Sequence, residues 1–412
     1  MKFSRQEIKI YASVIFGNLG SRLLSFIIGL AILKHSESAM TFGFSQVIGP
    51  LVGVITLPFI AGFIDKYNKK KIMYIGQVVS MLSLVLYMVL NHYYKDRLLI
   101  NTYFLLVGLS LADQFLYNSF QASVVNLVED RRVQRVKSVQ QVISAAIMVI
   151  SPIAGAFLYA LFPLNVFVVA EIFFEFAALA VLYKIDFNYV KSNIKNRISG
   201  DDNIVKLSID GFKYIAKYKK LIFGLVFAML LNFVLGGYIV GLPVLQIKIL
   251  KFSDELYGLS QGLFAVGLIA SGLALTLYHV KKLIIIVRNA AFALGLVHVF
   301  LGVILLLLKS KLGLFASIAI FNIVAGSCIS ACNILLSTWA TKYLPEDLQG
   351  RIFSTLSSGS QLLLPVGIMF YSFILDYIHP GAVILANGVA IALVIIFVPK
   401  RLHLDVHNDD LN

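Results

Sequence analysis

Cysteine is almost missing from these 412 residues: Cys328 and Cys332 are the only two. They stand one helical turn apart within an apolar run, which excludes a disulfide framework or a four-ligand metal site and leaves them as small packing residues. Charge is scarce as well, at 14% of residues against a hydrophobic share of 59%. Soluble proteins carry an apolar share of about 45 to 50%, so lipid is the expected solvent. Acidic residues are the scarcer sign, 21 against 35 basic ones, for a net charge of +14. No G-x-x-x-x-G-K-[ST] loop occurs, so an ATP-driven pump lacks its phosphate cradle and the energy must come from an ion gradient. No loop cluster of nucleophile, base and orienting acid is present, and no histidine-rich metal set, so neither an enzyme nor a cofactor site is read.

What the chain does have is length in apolar runs. Runs of about 20 residues, each enough to cross roughly 30 Å of hydrocarbon, recur from end to end. The expected spans are 10–33, 40–64, 72–91, 98–124, 139–160, 164–184, 221–247, 256–279, 283–308, 312–340, 352–376 and 380–398. The charged start, Met1 to Lys9, leads into the first span without a small-residue cleavage pattern, so that span is expected to stay in the mature protein. With an inside amino terminus, 27 Lys and Arg fall on the cytoplasmic side, 7 on the outer side, and Arg22 within a span. That bias follows the positive-inside rule. It predicts a multi-pass inner or plasma membrane protein with both termini cytoplasmic, and the high net charge then needs no nucleic-acid partner.

The longest polar stretch divides the helices six and six. The expected organisation is a first six-helix bundle over 1–184, a cytoplasmic linker over 185–220, a second bundle over 221–399 and a tail over 400–412. Within the linker, Asp201 and Asp202 can cap a surface helix whose Ile204, Leu207, Phe212 and Ile215 approximate an apolar face, opposite Lys206, Lys213 and Lys217. A plain flexible linker is the alternative. The halves also echo each other. Gln134-Arg135-Val136-Lys137-Ser138 before the fifth span matches Gly350-Arg351-Ile352-Phe353-Ser354 before the eleventh, and Pro152 with Gly155 is answered by Pro365 with Gly367. Duplication of a six-helix unit places such echoes at these positions.

Between the second and third spans runs Gly62-Phe-Ile-Asp65-Lys66-Tyr-Asn-Lys69-Lys70-Lys71. Gly62 permits close helix approach, Asp65 can pair with cations at a neighbouring helix end, and Lys66, Lys69, Lys70 and Lys71 can anchor the loop at anionic lipid heads. The alternative is a plain stop-transfer cluster of lysines. The segment resembles G-x-x-x-D-R-x-G-R-[RK], the signature of the major facilitator superfamily, with Lys66 in place of Arg and Asp65 three residues after Gly62. The resemblance covers nearly the whole chain and is nearest to the branch of macrolide-efflux proteins and the enterobactin exporter. It is carried by Ile64 to Met73, Ile150 to Tyr159, and Pro345 to Ser354 with Pro365-Val-Gly367. It implies an all-α polytopic membrane protein of the major facilitator fold, with 12 transmembrane helices in two pseudo-symmetric six-helix bundles. It further implies alternating access, a cargo site near the midplane, a latch at the cytoplasmic gate formed by the motif residues, monomeric function, and export of the drug:proton antiport type. The fifth span departs from the antiporter signature, with Ser151 and Ala156 where glycines stand around Pro152 and Gly155.

Ionisable groups at membrane depth cost about 2.5 to 3.5 kcal/mol each on insertion scales, so each asks for a partner or a task. Four stand out: Arg22 in the first span, Asp113 in the fourth, and Glu171 with Glu175 in the sixth. Four residues apart, the glutamates share a helix face and can look into one cavity. Two adjacent carboxylates in lipid do not both ionise cheaply, which suits a group that binds a proton outside and releases it inside. Asp113, Glu171 and Glu175 are therefore read as the proton-coupling site, with Arg22 competing for them against the proton or an anionic cargo. A static salt-bridge cluster is the alternative. In the second half, Asn232, Asn322 and Asn333 are candidates to line a cargo surface, with interhelical hydrogen bonding as the commoner role of such residues. His298 is read as a packing residue and Arg288 as a snorkelling one. Phe120, Tyr159, Phe233 and Tyr238 can meet a large apolar ligand or simply pack.

The leading reading is proton-coupled efflux of an amphipathic drug-like compound such as a macrolide. Export of an endogenous siderophore-like metabolite is the runner-up, and nutrient import stays open. Expected partners are a small-molecule cargo, protons as the coupling ion, and membrane lipid.

Overall fold

A computed structural model describes residues 4–36, 38–187, 189, 213–277, 280, 282–344, 352, 355–356 and 359–401, with backbone alone over 57–66 and at 95, 122, 125–126, 130–131, 134, 138, 276 and 340–341. Regular structure among them is wholly helical: α1 Arg5–His35, α2 Ala39–Lys66, α3 Lys69–Tyr93, α4 Leu98–Leu127, α5 Asp130–Leu161, α6 Leu164–Lys184, α7 Lys219–Pro243, α8 Asp254–Leu277, α9 Leu283–Leu307, α10 Lys311–Tyr343, α11 Leu363–Ile374 and α12 Pro380–Arg401. A π-helical turn, Val244–Ile249, follows α7 at Pro243. Eleven helices among the described residues are long and apolar enough to cross a membrane. The remaining one, α11, belongs to a shorter apolar helical stretch, Gly359–Ile374. The linker helix expected over 201–217 falls almost entirely outside the described residues, and so does most of the Pro345–Ser354 echo.

Most helices overrun their expected spans. With 31 residues at about 1.5 Å each, α1 is roughly 46 Å long, well beyond the hydrocarbon thickness of about 30 Å. Hydropathy marks only the length that lipid must wet, and the polar turns beyond it remain helical. The consequence is largest at α5, which begins at Asp130 where the apolar pattern begins at 139.

Contacts divide the chain into two compact units, Met1–His35 with Ser45–Gly200, and Ser36–Phe44 with Asp201–Asn412. Each has the same internal plan. In the first, α1 packs on α5 and α6, and α3 on α4 and α6; in the second, α7 packs on α11 and α12, and α9 on α10 and α12. The proline and glycine pairs, Pro152 with Gly155 and Pro365 with Gly367, lie at matching crossings. A Cβ on Gly155 of α5 would press on Phe26 of α1, and one on Gly367 of α11 would overlap the Phe233 carbonyl of α7. Absence of a side chain lets the helices approach closely, which is how membrane helices gain dispersion contact where the hydrophobic effect gives none. Large apolar side chains such as Phe173, Leu273 and Leu312 stay exposed, as a lipid-facing surface requires.

Candidate functional site

The first unit holds a cavity of about 650 Å³. Three helices turn polar stripes toward it, each at the three-to-four-residue spacing that puts side chains on one helix face. From α1 come Ser13, Asn18, Ser21, Arg22 and Ser25; from α4, Asp113, Gln114, Tyr117 and Gln121; from α5, Lys137, Gln140, Gln141 and Ser144. Gln77 of α3 and Glu175 of α6 complete the polar wall, while Phe120, Leu116 and Ile147 are among its apolar parts. Asn18 donates to Ser144 Oγ at 3.3 Å and so ties the α1 stripe to the α5 stripe.

The four charges expected at depth fall in this region, in different surroundings. Arg22 and Asp113 are exposed to the cavity. Their charges interact through space, and Asp113 in turn acts on both glutamates. Glu175 is 4% exposed; Ser80 Oγ donates to its Oε1 at 2.5 Å, and Gln77 Nε2 donates to its backbone carbonyl at 3.1 Å. Glu171, one turn away and 2% exposed, does not line the cavity. Ser21 Oγ donates to Glu171 Oε1 at 3.0 Å, while Oε2 is buried without a hydrogen-bond partner among the described residues. That oxygen sits over Gly20 of α1, where any Cβ would overlap it. The glutamates thus share a face but differ in access: one borders the cavity and the other is packed between α6 and α1.

Of the motif between α2 and α3, the side chains of Gly62, Asp65 and Lys66 lie outside the described residues. Asn68 caps α3, accepting from the backbone N–H groups of Lys70 and Lys71. Lys71 is exposed and Lys69 half-buried. Lys70 turns to α6, donating from Nζ to the carbonyls of Tyr183 at 3.1 Å and Ile185 at 2.9 Å, with the Phe187 ring 5.6 Å away. Lys9 of α1 donates to the Lys184 carbonyl at 2.8 Å, and Gln6 to that of Asp186 at 2.7 Å. Two ammonium groups therefore meet the carboxyl end of α6, where orphan carbonyls and the negative end of the helix dipole favour cations.

In the second unit the candidate polar residues serve packing to different degrees. Asn322 is fully buried: its Nδ2 donates to the Ser260 carbonyl at 2.7 Å and hydroxyl at 2.9 Å, and Tyr238 donates to its Oδ1 at 3.1 Å. It joins α7, α8 and α10. Asn232 donates to the Ala228 carbonyl one turn back at 2.9 Å, and Asn333 is exposed. His298 bonds through Nδ1 to the Leu294 carbonyl at 2.7 Å and meets Phe321 edge-on. Of the aromatics, Phe120 lines the first unit's cavity, Tyr159 lies 5.4 Å from the Lys34 ammonium, and Phe233 and Tyr238 pack within aromatic clusters.

Sequence reasoning missed the uncharged polar members of the cavity and the place of Lys137 on it. The glutamines of α4 and α5 carry a usable signal, because Gln114 to Gln121 and Lys137 to Ser144 keep helical spacing. Lys137 escaped because it precedes the apolar run that defines its span.

The profile of the Major Facilitator Superfamily matches residues 10–310. Macrolide efflux protein A of Streptococcus pyogenes is 22% identical over 405 residues, covering 97% of each chain. The protein of that name from Enterococcus faecalis is 21% identical over 334 residues, covering 81% of this chain and 98% of its own. Among solved structures, a bacterial homologue of the iron transporter ferroportin in its inward-facing state superposes with a TM-score of 0.73 at 16% identity, covering 96% of this chain and 99% of that one. A D-xylose-proton symporter superposes at 0.67 with 12% identity, covering 99% of each. These structures share the fold. With the matched profile covering most of its length and its helices organised as two units of like plan, this multi-pass membrane chain belongs to the Major Facilitator Superfamily.

Proposed function

We propose that this secondary transporter exports a small amphipathic compound, drug-like and of the macrolide kind, by alternating access coupled to proton entry. The observation that carries the reading is the gathering of Arg22, Asp113 and Glu175 on one cavity, with Glu171 a single turn behind. Asp113 is open to that cavity and feels the Arg22 charge. A proton and a cationic or hydrogen-bonding group of the cargo then compete for the same carboxylate, and competition for one site is what makes exchange obligatory. Thermodynamic reciprocity requires that each weaken the other's binding equally. Glu175 and Glu171 take the proton onward, and neutral carboxyls lower the cost of holding this region in apolar surroundings. Relatives named for macrolide efflux support the direction and the cargo.

The remaining parts of the reading follow the same plan. Gly62, Asp65, Lys66, Lys69, Lys70 and Lys71 latch the cytoplasmic gate, both termini lie in the cytoplasm, and Asn232, Asn322 and Asn333 mark the cargo-facing helices of the second unit. The transporter acts as a monomer. Export of a siderophore-like metabolite is the second reading, favoured by the cations Arg22 and Lys137 on the cavity wall.

Energised cells loaded with labelled erythromycin test the proposal. Efflux should stop on adding a protonophore, and Asp113→Asn or Glu175→Gln should lower it by roughly tenfold or more, in line with removal of a proton-transfer group. Protonophore-insensitive efflux, or full efflux in both variants and in Glu171→Gln, contradicts proton coupling at this site.

A further inference from the structure

The α5 stripe is unlike the rest of its helix. Val142, Ile150, Ile153 and Phe157 are exposed apolar residues of the kind that lipid wets. Lys137, Gln140, Gln141 and Ser144, spaced at three, four and seven residues, occupy the cavity face. On a lipid-facing side of the span the amides of Gln140 and Gln141 would be left unsolvated, so their place on the cavity, with Lys137 one turn nearer the helix start, is the one that water or a cargo must satisfy. Ser144 is engaged by Asn18. The side chains of Lys137, Gln140 and Gln141 make no hydrogen bond or ion pair with the described residues, and the same holds for Gln121 of α4 across the cavity. Arg22 forms no salt bridge with a described carboxylate.

The free groups are unequal in kind. An ammonium carries three donors and a guanidinium five, with no acceptor on either, and each glutamine amide adds two donors beside one carbonyl. This group of five side chains therefore presents more hydrogen-bond donors than acceptors, with the Asp113 carboxylate the exposed acceptor on the same cavity. We infer that Lys137, Gln140 and Gln141, with Arg22 and Gln121, form the specificity-determining face of the transporter, and that it selects cargo rich in acceptor oxygens: lactone, ketone, ether, hydroxamate or carboxylate groups. Lipophilic cations without acceptor oxygens leave that face unsatisfied and are rejected, because a site built to hydrogen-bond pays a desolvation penalty for a ligand that cannot. The inference rests on the export reading for its cargo but concerns recognition alone.

The test is equilibrium binding to the purified full chain in nanodiscs, with three probes: erythromycin, the hydroxamate chelator desferrioxamine, and tetraphenylphosphonium. At least one acceptor-rich probe should bind and resist competition by tetraphenylphosphonium. Lys137→Met should weaken that binding by roughly tenfold, as loss of a charged donor does, while Lys137→Arg keeps it within about threefold. Binding of neither acceptor-rich probe, or equal binding by Lys137→Met and the wild type, overturns the inference. Counterflow in liposomes is read separately. Binding without counterflow removes the export reading and leaves the donor face standing, whereas counterflow of tetraphenylphosphonium unaffected by Lys137→Met removes the donor face and leaves export standing.

Discussion

The two units share several helix pairings and place their polar side chains differently. In the second unit, several polar side chains are tied to one another, Asn322 to Ser260 and Tyr238 and Asn387 to Tyr371, while Gln246 is buried with neither amide atom partnered among the described residues. In the first unit, Arg22, Lys137, Gln121, Gln140 and Gln141 are among the residues that line a cavity with donors to spare, and Glu171 keeps an oxygen without a partner among the described residues. Paired polar groups join helices, whereas those on a cavity wall stay open to water or a ligand. The difference teaches that units with like helix pairings can carry unlike polar surfaces.

The matched glycines give the largest expected contrast. An added methyl at Gly367 meets the backbone of Phe233, which cannot turn aside, so Gly367→Ala should cost about 3 kcal/mol through overpacking. At Gly155 the first obstacle is the edge of the Phe26 ring, 2.8 Å from the added carbon, and a side chain can rotate. Gly155→Ala should therefore cost about 1 kcal/mol or less. Thermal unfolding of the purified protein in detergent reads both; equal losses would break the claim that the two crossings differ in tightness.

A smaller effect sharpens the distinction between tied and free polar groups. Asn322→Ala strands the Ser260 and Tyr238 groups in a buried site and should cost about 2 kcal/mol, while Gln121→Ala, at an exposed cavity position, should change stability by about 0.5 kcal/mol or less. Comparable destabilisation by the two would mean that the cavity residues are structural after all.

The spans were legible because lipid demands a continuous apolar length, and each expected span lies on a helix of the structure where it is described. Their ends were not, since polar turns outside the hydrocarbon stay helical; α5 gained nine residues this way, and Lys137 stands among them. Arg22, Asp113, Glu171 and Glu175 were legible as ionisable groups at depth. That Glu175 borders the cavity and Glu171 is packed over Gly20 was not, because helical periodicity gives the face but not the neighbouring helix that closes it. The bond from Lys70 to the end of α6 was hidden for another reason: its partners are backbone carbonyls more than a hundred residues away, which carry no sequence signature.

Proton movement itself tests most directly the proposal that the first unit carries the coupling. Protein reconstituted in liposomes with a trapped pH dye, given an erythromycin gradient, should drive a proton flux of opposite direction that Glu175→Gln or Asp113→Asn abolishes and Leu312→Ala, on the lipid-facing surface, leaves intact. A cargo-driven flux undiminished in both first-unit variants and in Glu171→Gln would contradict the account.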